Sequence, residues 1–187
     1  TDSTEYFANV LASGHGSVLE HANFSFAFRN VSRVATHEIV RHRAGAAYSQ
    51  ESLRYVRLTD IGFRVPPALE PLRNRCIEIV EQLEEFQVDA AEQLALDDDG
   101  VPFSVKKEVT SALRRLAPIG LSTDIIVTMN VRTLRHVIAM RTAPEAEEEL
   151  RMIFDQVAHL AITEAPGLFQ DLSRRDDGTW VPGHDKV

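Results

Sequence analysis

Ser122-Thr123-Asp124-Ile125-Ile126-Val127-Thr128-Met129-Asn130-Val131-Arg132-Thr133-Leu134-Arg135-His136-Val137-Ile138-Ala139-Met140-Arg141 contains the change of pattern that sets the fold class. Its first part, apolar and β-branched around Ile125-Ile126-Val127, predicts a buried strand over 122–129. Asn130 carries a side-chain oxygen that accepts from the free N–H groups of a helix start, so a helix is expected from there through Arg141. The same order recurs upstream. Phe24, Phe26 and Phe28 fall at period two, which predicts a strand over 21–29, and Ser32 can cap a helix running to about residue 43. Outside these two segments the periodicity is helical. A short helix over 4–12 groups Tyr6, Phe7, Val10 and Leu11. A long one over 71–96 turns Leu72, Cys76, Ile79, Leu83, Ala90 and Leu94 inward and ends at Asp97-Asp98-Asp99-Gly100. Helices are also expected over 104–116, with Ser104 as cap, and over 144–164, opened by Pro144. After the small-residue loop Ala44-Gly45-Ala46-Ala47, residues 49–53 are expected to resume a turn of helix. The expected fold is therefore α+β, mostly helical with a small antiparallel or mixed sheet. It forms a single domain over 1–187, with a turn-rich tail at 170–187 to which no function is assigned.

A chain of 187 residues, 44% hydrophobic and 26% charged, can bury about 70% of its unfolded surface without disulfides or metal. No run of eighteen apolar residues occurs, so no membrane-spanning helix is expected. Thr1-Asp2-Ser3-Thr4-Glu5 has neither a basic nor an apolar leader region, so no signal peptide is expected, and without a Met the start is expected to lie upstream. The single cysteine, Cys76, forbids an internal disulfide and fits a reducing cytoplasm. A net charge of −8 speaks against a general nucleic-acid or membrane-surface binder. Within that acidic chain, Arg29, Arg33, Arg41, Arg43, Arg54 and Arg57 cluster against only Glu38 and Glu51. Guanidinium groups fork onto phosphate and carboxylate, so the cluster points to a small anionic ligand.

Other chemistries fail on spacing. His37-Glu38-Ile39-Val40-Arg41 has Arg41 where a zinc-protease helix needs its second His. His42 would sit about 140° around the helix from His37, so no metal site is expected. Cys76 lies on an acidic helix with no His near it in sequence, and reads as a structural thiol. No glycine-rich nucleotide loop is present, and no nucleophile elbow surrounds Ser52.

The dense segment is Arg41-His42-Arg43-Ala44-Gly45-Ala46-Ala47-Tyr48-Ser49-Gln50-Glu51-Ser52-Leu53-Arg54-Tyr55. Basic residues closing a helix offset its dipole, which accounts for one or two of these arginines but not for the following Ser-Gln-Glu-Ser-x-Arg. Arg-His-Arg followed by Tyr-Ser-Gln-x-Ser-x-Arg-Tyr resembles the signature of the flavin-dependent thymidylate synthases. Gly14-His15 through Glu20-His21 resembles a second motif of that family. Asn130-Val131-Arg132, His136 and Ala139-Met140-Arg141 resemble a third.

The resemblance implies a homotetramer with shared sites that methylates C5 of dUMP. Methylenetetrahydrofolate would be the carbon donor, reduced FAD the hydride source and NADPH the reductant. It implies that Arg41, His42 and Arg43 contact FAD, with Ser17, Glu20, Ser49, Asn130, Arg132 and His136. Ser52, Arg54 and Arg114 would hold the nucleotide phosphate and sugar, with Glu38 and Gln50 beside them. Arg141 would lie on the uracil edge; it and Ser52 are the residues assigned to the chemistry, Ser52 by binding. His15 and Tyr55 would meet the folate. A flavin carrying the redox chemistry also suits a chain without a reactive cysteine.

The sequence departs from the family pattern in five places, one of them Glu51, where an apolar residue is usual. Eight residues separate Arg43 from Ser52, where seven is commoner. Glu38 stands where some members have Gln, Glu145 where some have His, and the family's opening strand and helix are not in this sequence. The altered loop leaves the ribonucleotide UMP as an alternative substrate; the missing opening segment and Glu145 leave a non-catalytic FAD- and nucleotide-binding relative as an alternative function.

Overall fold

The computed structural model describes residues 3–187; Thr1 and Asp2, on which the leader reading begins, lie outside the described residues. β3 (Ser122–Asn130) runs directly into α5 (Val131–Thr142). The strand alternates: Ile125, Val127 and Met129 are buried, whereas Ile126 is 53% exposed. It thus has one buried face instead of the two a continuous apolar run suggested. Asn130 caps α5 as expected, its Oδ1 accepting the Thr133 N–H at 2.8 Å.

β1 (Asn23–Ser32) carries the phenylalanine alternation, with Phe28 buried. Ser32 Oγ then accepts the Ala35 N–H at 3.1 Å and opens α2 (Arg33–Ile39). That helix stops short of the expected end near residue 43. It ends in a turn, with the Arg41 N–H donating to the Glu38 carbonyl at 3.3 Å and the His42 N–H to the Ile39 carbonyl at 3.1 Å. The Tyr48 hydroxyl donates to the Ile39 carbonyl at 3.0 Å and to that of His42 beyond it. His42 therefore lies beyond the helix, and the angular argument against its pairing with His37 loses its premise. Among the described residues, no group of three His, Cys, Asp or Glu side chains is placed to hold a metal.

Of the residues expected to resume a helix, Ser49 and Gln50 instead end β2 (Ala46–Gln50), which begins in the expected small-residue loop, and 51–53 form no helix; the sheet has the order β1-β3-β2. Pairing with β3 gives the backbone of Ala46-Ala47-Tyr48 its hydrogen-bond partners, which outweighs the weak strand preference of alanine.

The other helices are α1 (Ser3–Ala12), α3 (Arg73–Gln93), α4 (Phe103–Leu113), α6 (Glu148–Glu164) and α7 (Pro166–Phe169), with 3-10 helices at Gly16–Glu20, Pro67–Leu72 and Arg114–Leu116. β4 (Leu172–Arg174) and β5 (Trp180–Pro182) form an antiparallel hairpin in the tail. Three expectations shift. On α3 Ala90 is buried and Leu83 packs against the core as the spacing marked, but Val80, Gln87 and Ala91 are buried too, while Ile79 and the flanking Leu72 and Leu94 are exposed; the inward face is rotated toward Val80 and Gln87. α4 is preceded by extended Pro102, so Ser104 falls inside the helix and does not cap it. α6 opens at Glu147, whose carboxylate accepts the N–H groups of Glu149 and Leu150 at 2.9 and 3.2 Å; Pro144 lies in the turn before it.

The chain divides into two compact units. One comprises the chain up to Ala27, His37–Ser49 and Ile126–Val187. Its core is built by Leu134, Val137 and Ile138 of α5 with Leu150, Phe154 and Val157 of α6, all buried. The other comprises Phe28–Thr36 and Gln50–Ile125, with a core of Leu53, Leu58, Ile61, Val80 and Leu121. No described helix is long and apolar enough to cross a membrane.

Candidate functional site

The first unit contains a cavity of about 570 Å³. Its lining draws on all three separated motifs: Glu20 from the first, His42 and Arg43 from the second, and Asn130, Arg132 and His136 from the third. Three of the residues grouped with them in the sequence do not line it. Ser17 is exposed on the Gly16–Glu20 turn, Arg41 is exposed after α2, and Ser49 is exposed on β2. His15, just before that turn, is also exposed.

Local geometry explains why the lining converges. The Asn130 N–H donates to the Gly45 carbonyl at 2.9 Å, and the Thr133 hydroxyl donates to the Ala44 carbonyl at 2.8 Å. The loop after Arg43 is thereby locked onto the start of α5. Gly45 permits this in two ways: its φ is +67°, and a Cβ there would stand 2.3 Å from Asn130 Nδ2. Neither Gly45 nor Thr133 was singled out by the motifs. The glycine in an otherwise alanine loop is the sequence signal that could have found it.

Arg132 NH1 donates to Glu20 Oε1 at 2.5 Å, so the third motif holds the first. One turn or more along α5, Arg141 makes three hydrogen bonds. Its Nε donates to His42 Nε2 at 2.8 Å, its NH1 to Glu38 Oε2 at 2.8 Å and its NH2 to the Glu38 carbonyl at 3.3 Å. A guanidinium has five N–H groups, so two remain without a partner among the described residues. His42 must be neutral, with its proton on Nδ1, to accept at Nε2. Burial above all, then the fields of Arg141, His136 and Arg41, pushes its pKa down to about 4 against the pull of Glu38.

The second unit carries the remaining predicted residues. Gln50 donates to the Thr36 hydroxyl at 2.9 Å, and Ser52 Oγ accepts the Arg54 N–H at 3.4 Å. Ser52, Arg54 and Arg114 are exposed. Arg33, unassigned by the motifs, joins them electrostatically. Its guanidinium donates to the Glu51 carbonyl at 2.9 Å, and its Nε is buried without a partner. Burial lowers its pKa, Glu51 opposes this, and Arg114 adds to it. Tyr55 is exposed, with the Lys107 ammonium 5.1 Å over its ring.

The family model described as "Thymidylate synthase complementing protein" matches residues 1–167. A flavin-dependent thymidylate synthase of Geobacter sulfurreducens is 37% identical over 172 residues, covering 91% of this chain and 70% of the relative. One from Mycobacterium tuberculosis is 34% identical over 183 residues, covering 94% and 73%. Among solved structures, the flavin-dependent thymidylate synthase of Helicobacter pylori, complexed with FAD and dUMP, matches with a TM-score of 0.67. It is 21% identical and covers 88% of this chain and 82% of that one, a likeness of fold.

Proposed function

This chain belongs to the flavin-dependent thymidylate synthase family, and on that footing we propose that it converts dUMP to dTMP. Methylenetetrahydrofolate donates the carbon, and bound FAD, reduced by NADPH, supplies the hydride. The products are dTMP, tetrahydrofolate and oxidised flavin, so one CH₂ and one hydride–proton pair are accounted for. The observation that carries this reading is the cavity whose wall is drawn from three motifs far apart in sequence.

The donor set suits the cofactor. Two guanidinium groups, Arg43 and Arg132, line the cavity beside the Asn130 amide, a combination that holds a pyrophosphate and orients polar edges of a ring. The volume lies in the range of small-molecule sites, roughly 300–1,000 Å³. Glu20, His42 and His136 are assigned to the same cofactor, as are Ser17, Arg41 and Ser49, which do not line the cavity.

Arg141 is assigned to the uracil edge. Glu38 and His42 fix its guanidinium while two N–H groups stay open. Those groups stabilise negative charge that develops on the ring oxygen and N3 as C5 attacks the carbon donor, at roughly 1.5–3 kcal/mol for each charged hydrogen bond. Ser52, Arg54 and Arg114 are assigned to the phosphate and sugar, with Gln50 beside them and Ser52 acting by binding. His15 and Tyr55 are assigned to the folate. A homotetramer in the cytoplasm is the proposed assembly and setting. Exposed Ile77, Phe86, Phe103 and Ile119 are apolar side chains that subunit contacts would cover, and a single cysteine suits a reducing compartment. No nucleic-acid or membrane partner is proposed.

The test is a product assay by mass spectrometry with FAD, NADPH and methylenetetrahydrofolate, with dUMP and UMP in parallel. A gain of one CH₂ on dUMP is expected. A gain on UMP alone would reassign the substrate. No gain on either, with FAD bound, would make the chain a non-catalytic relative.

A further inference from the structure

The tail carries none of the motifs, yet it returns to the cofactor cavity. The β4–β5 hairpin sets Leu172 opposite Pro182, which turns the chain back toward Asp171. There the Gly183 N–H donates to the Asp171 carbonyl at 2.9 Å and the His184 N–H to Asp171 Oδ2 at 3.0 Å. Asp171 is itself fixed by Arg135, whose NH1 and NH2 donate to the two carboxylate oxygens at 2.7 and 2.8 Å. Arg135 is 1% exposed and also donates to the Leu168 carbonyl at 2.9 Å. It sits on α5 between Arg132 and His136, so the helix that lines the cavity also anchors the tail.

Past this anchor, Asp185, Lys186 and Val187 line the same cavity as Arg43 and Arg132. The approach is close. A Cβ on Gly16 would stand 2.9 Å from Arg132 Nε and 3.3 Å from the Val187 backbone. The charges of the lining also depend on the tail. Arg43, Arg132 and Lys186 face Glu20 and Asp185, with Arg132 already paired to Glu20. Counting side chains alone, the lining carries one net positive charge, in which Lys186 offsets Asp185 of the same segment.

We infer that residues 183–187 form a strap completing the wall of the cofactor cavity, with Lys186 as a third cation for the phosphates of the dinucleotide. This rests on the reading of the cavity as the FAD site. The strap is fixed through backbone bonds to Asp171, so its placement does not depend on the identity of residue 186. Lys186 is exposed, and its replacement leaves the core untouched.

Equilibrium binding of FAD, followed by quenching of flavin fluorescence, tests this with the unaltered chain, Lys186→Ala and Lys186→Arg. Lys186→Ala is expected to weaken FAD about fivefold, as for a partly solvated ion pair. Lys186→Arg is expected to stay within about twofold of the unaltered chain, since it keeps the charge. The affinity of Lys186→Ala should also fall less steeply with added salt. Equal FAD affinity in the unaltered chain and Lys186→Ala overturns the role of Lys186 while leaving the cavity reading intact. Failure of the unaltered chain to bind FAD overturns both. Equal weakening by Ala and Arg overturns the charge-based role.

Discussion

Arg141 Nε donates to His42 Nε2 at 2.8 Å, tying the last turn of α5 to the residue just beyond α2. The bond exists only while His42 is unprotonated at Nε2, and its environment enforces that state. It links a residue assigned to the cofactor with one assigned to the uracil.

The first prediction concerns pH. His42 has a folded pKa near 4, below the value of about 6.5 for an unperturbed histidine. Between those values the unfolded chain binds a proton that the folded chain refuses, so stability rises with pH across that window. Chemical denaturation should show stability falling on acidification from about pH 6.5 toward 4. NMR titration should place the His42 midpoint near the lower value. A midpoint at 6.5 would contradict the bond.

Glu38→Ala removes the carboxylate that accepts from Arg141 NH1. Losing a charge-assisted bond worth roughly 1.5–3 kcal/mol should lower kcat/KM for dUMP by about 10- to 150-fold. Glu38→Gln keeps an acceptor at the same reach and should recover most of that loss. FAD affinity should not move in either variant, because Glu38 does not line the cavity. Steady-state kinetics with a parallel FAD titration would check this.

Gly45→Ala is expected to destabilise the protein by at least about 1–3 kcal/mol, the cost of a strained left-handed residue. The clash with Asn130 adds to this and should weaken FAD as well. Urea unfolding and FAD titration would measure the two effects. A neutral outcome in both would contradict the locked loop.

Arg135→Met would leave Asp171 without its buried partner. Breaking such a pair from one side costs about 3–5 kcal/mol, so a clear drop in unfolding midpoint is expected. An unchanged midpoint would mean that the anchor beneath the tail contributes little.

Legibility in the sequence followed how local each signal was. The strand over 122–130 and the helix after it were readable because alternation and the Asn130 cap act within a few residues. Of the residues assigned to FAD, Glu20, His42, Arg43, Asn130, Arg132 and His136 share one cavity, whereas Ser17, Arg41 and Ser49 do not line it. What escaped depends on distant partners. α2 ends at Ile39, whose carbonyl accepts from the Tyr48 hydroxyl on β2, and β2 is a strand because it joins the sheet. The inward face of α3 is set by the packing of Val80 against Leu53 and Leu121, which spacing alone could not reveal. Lys186 gave no signal at all: a lone lysine in a turn-rich tail marks nothing until Asp171 and Arg135 place it.

The most direct measurement is an anaerobic single turnover of enzyme whose bound flavin has been fully reduced. Methylenetetrahydrofolate and dUMP are added while flavin absorbance and dTMP are followed together. The account predicts that the oxidised-flavin band grows only when both substrates are present, with one dTMP formed per flavin oxidised. Formation of dTMP without flavin oxidation would contradict it, as would flavin oxidation without dTMP.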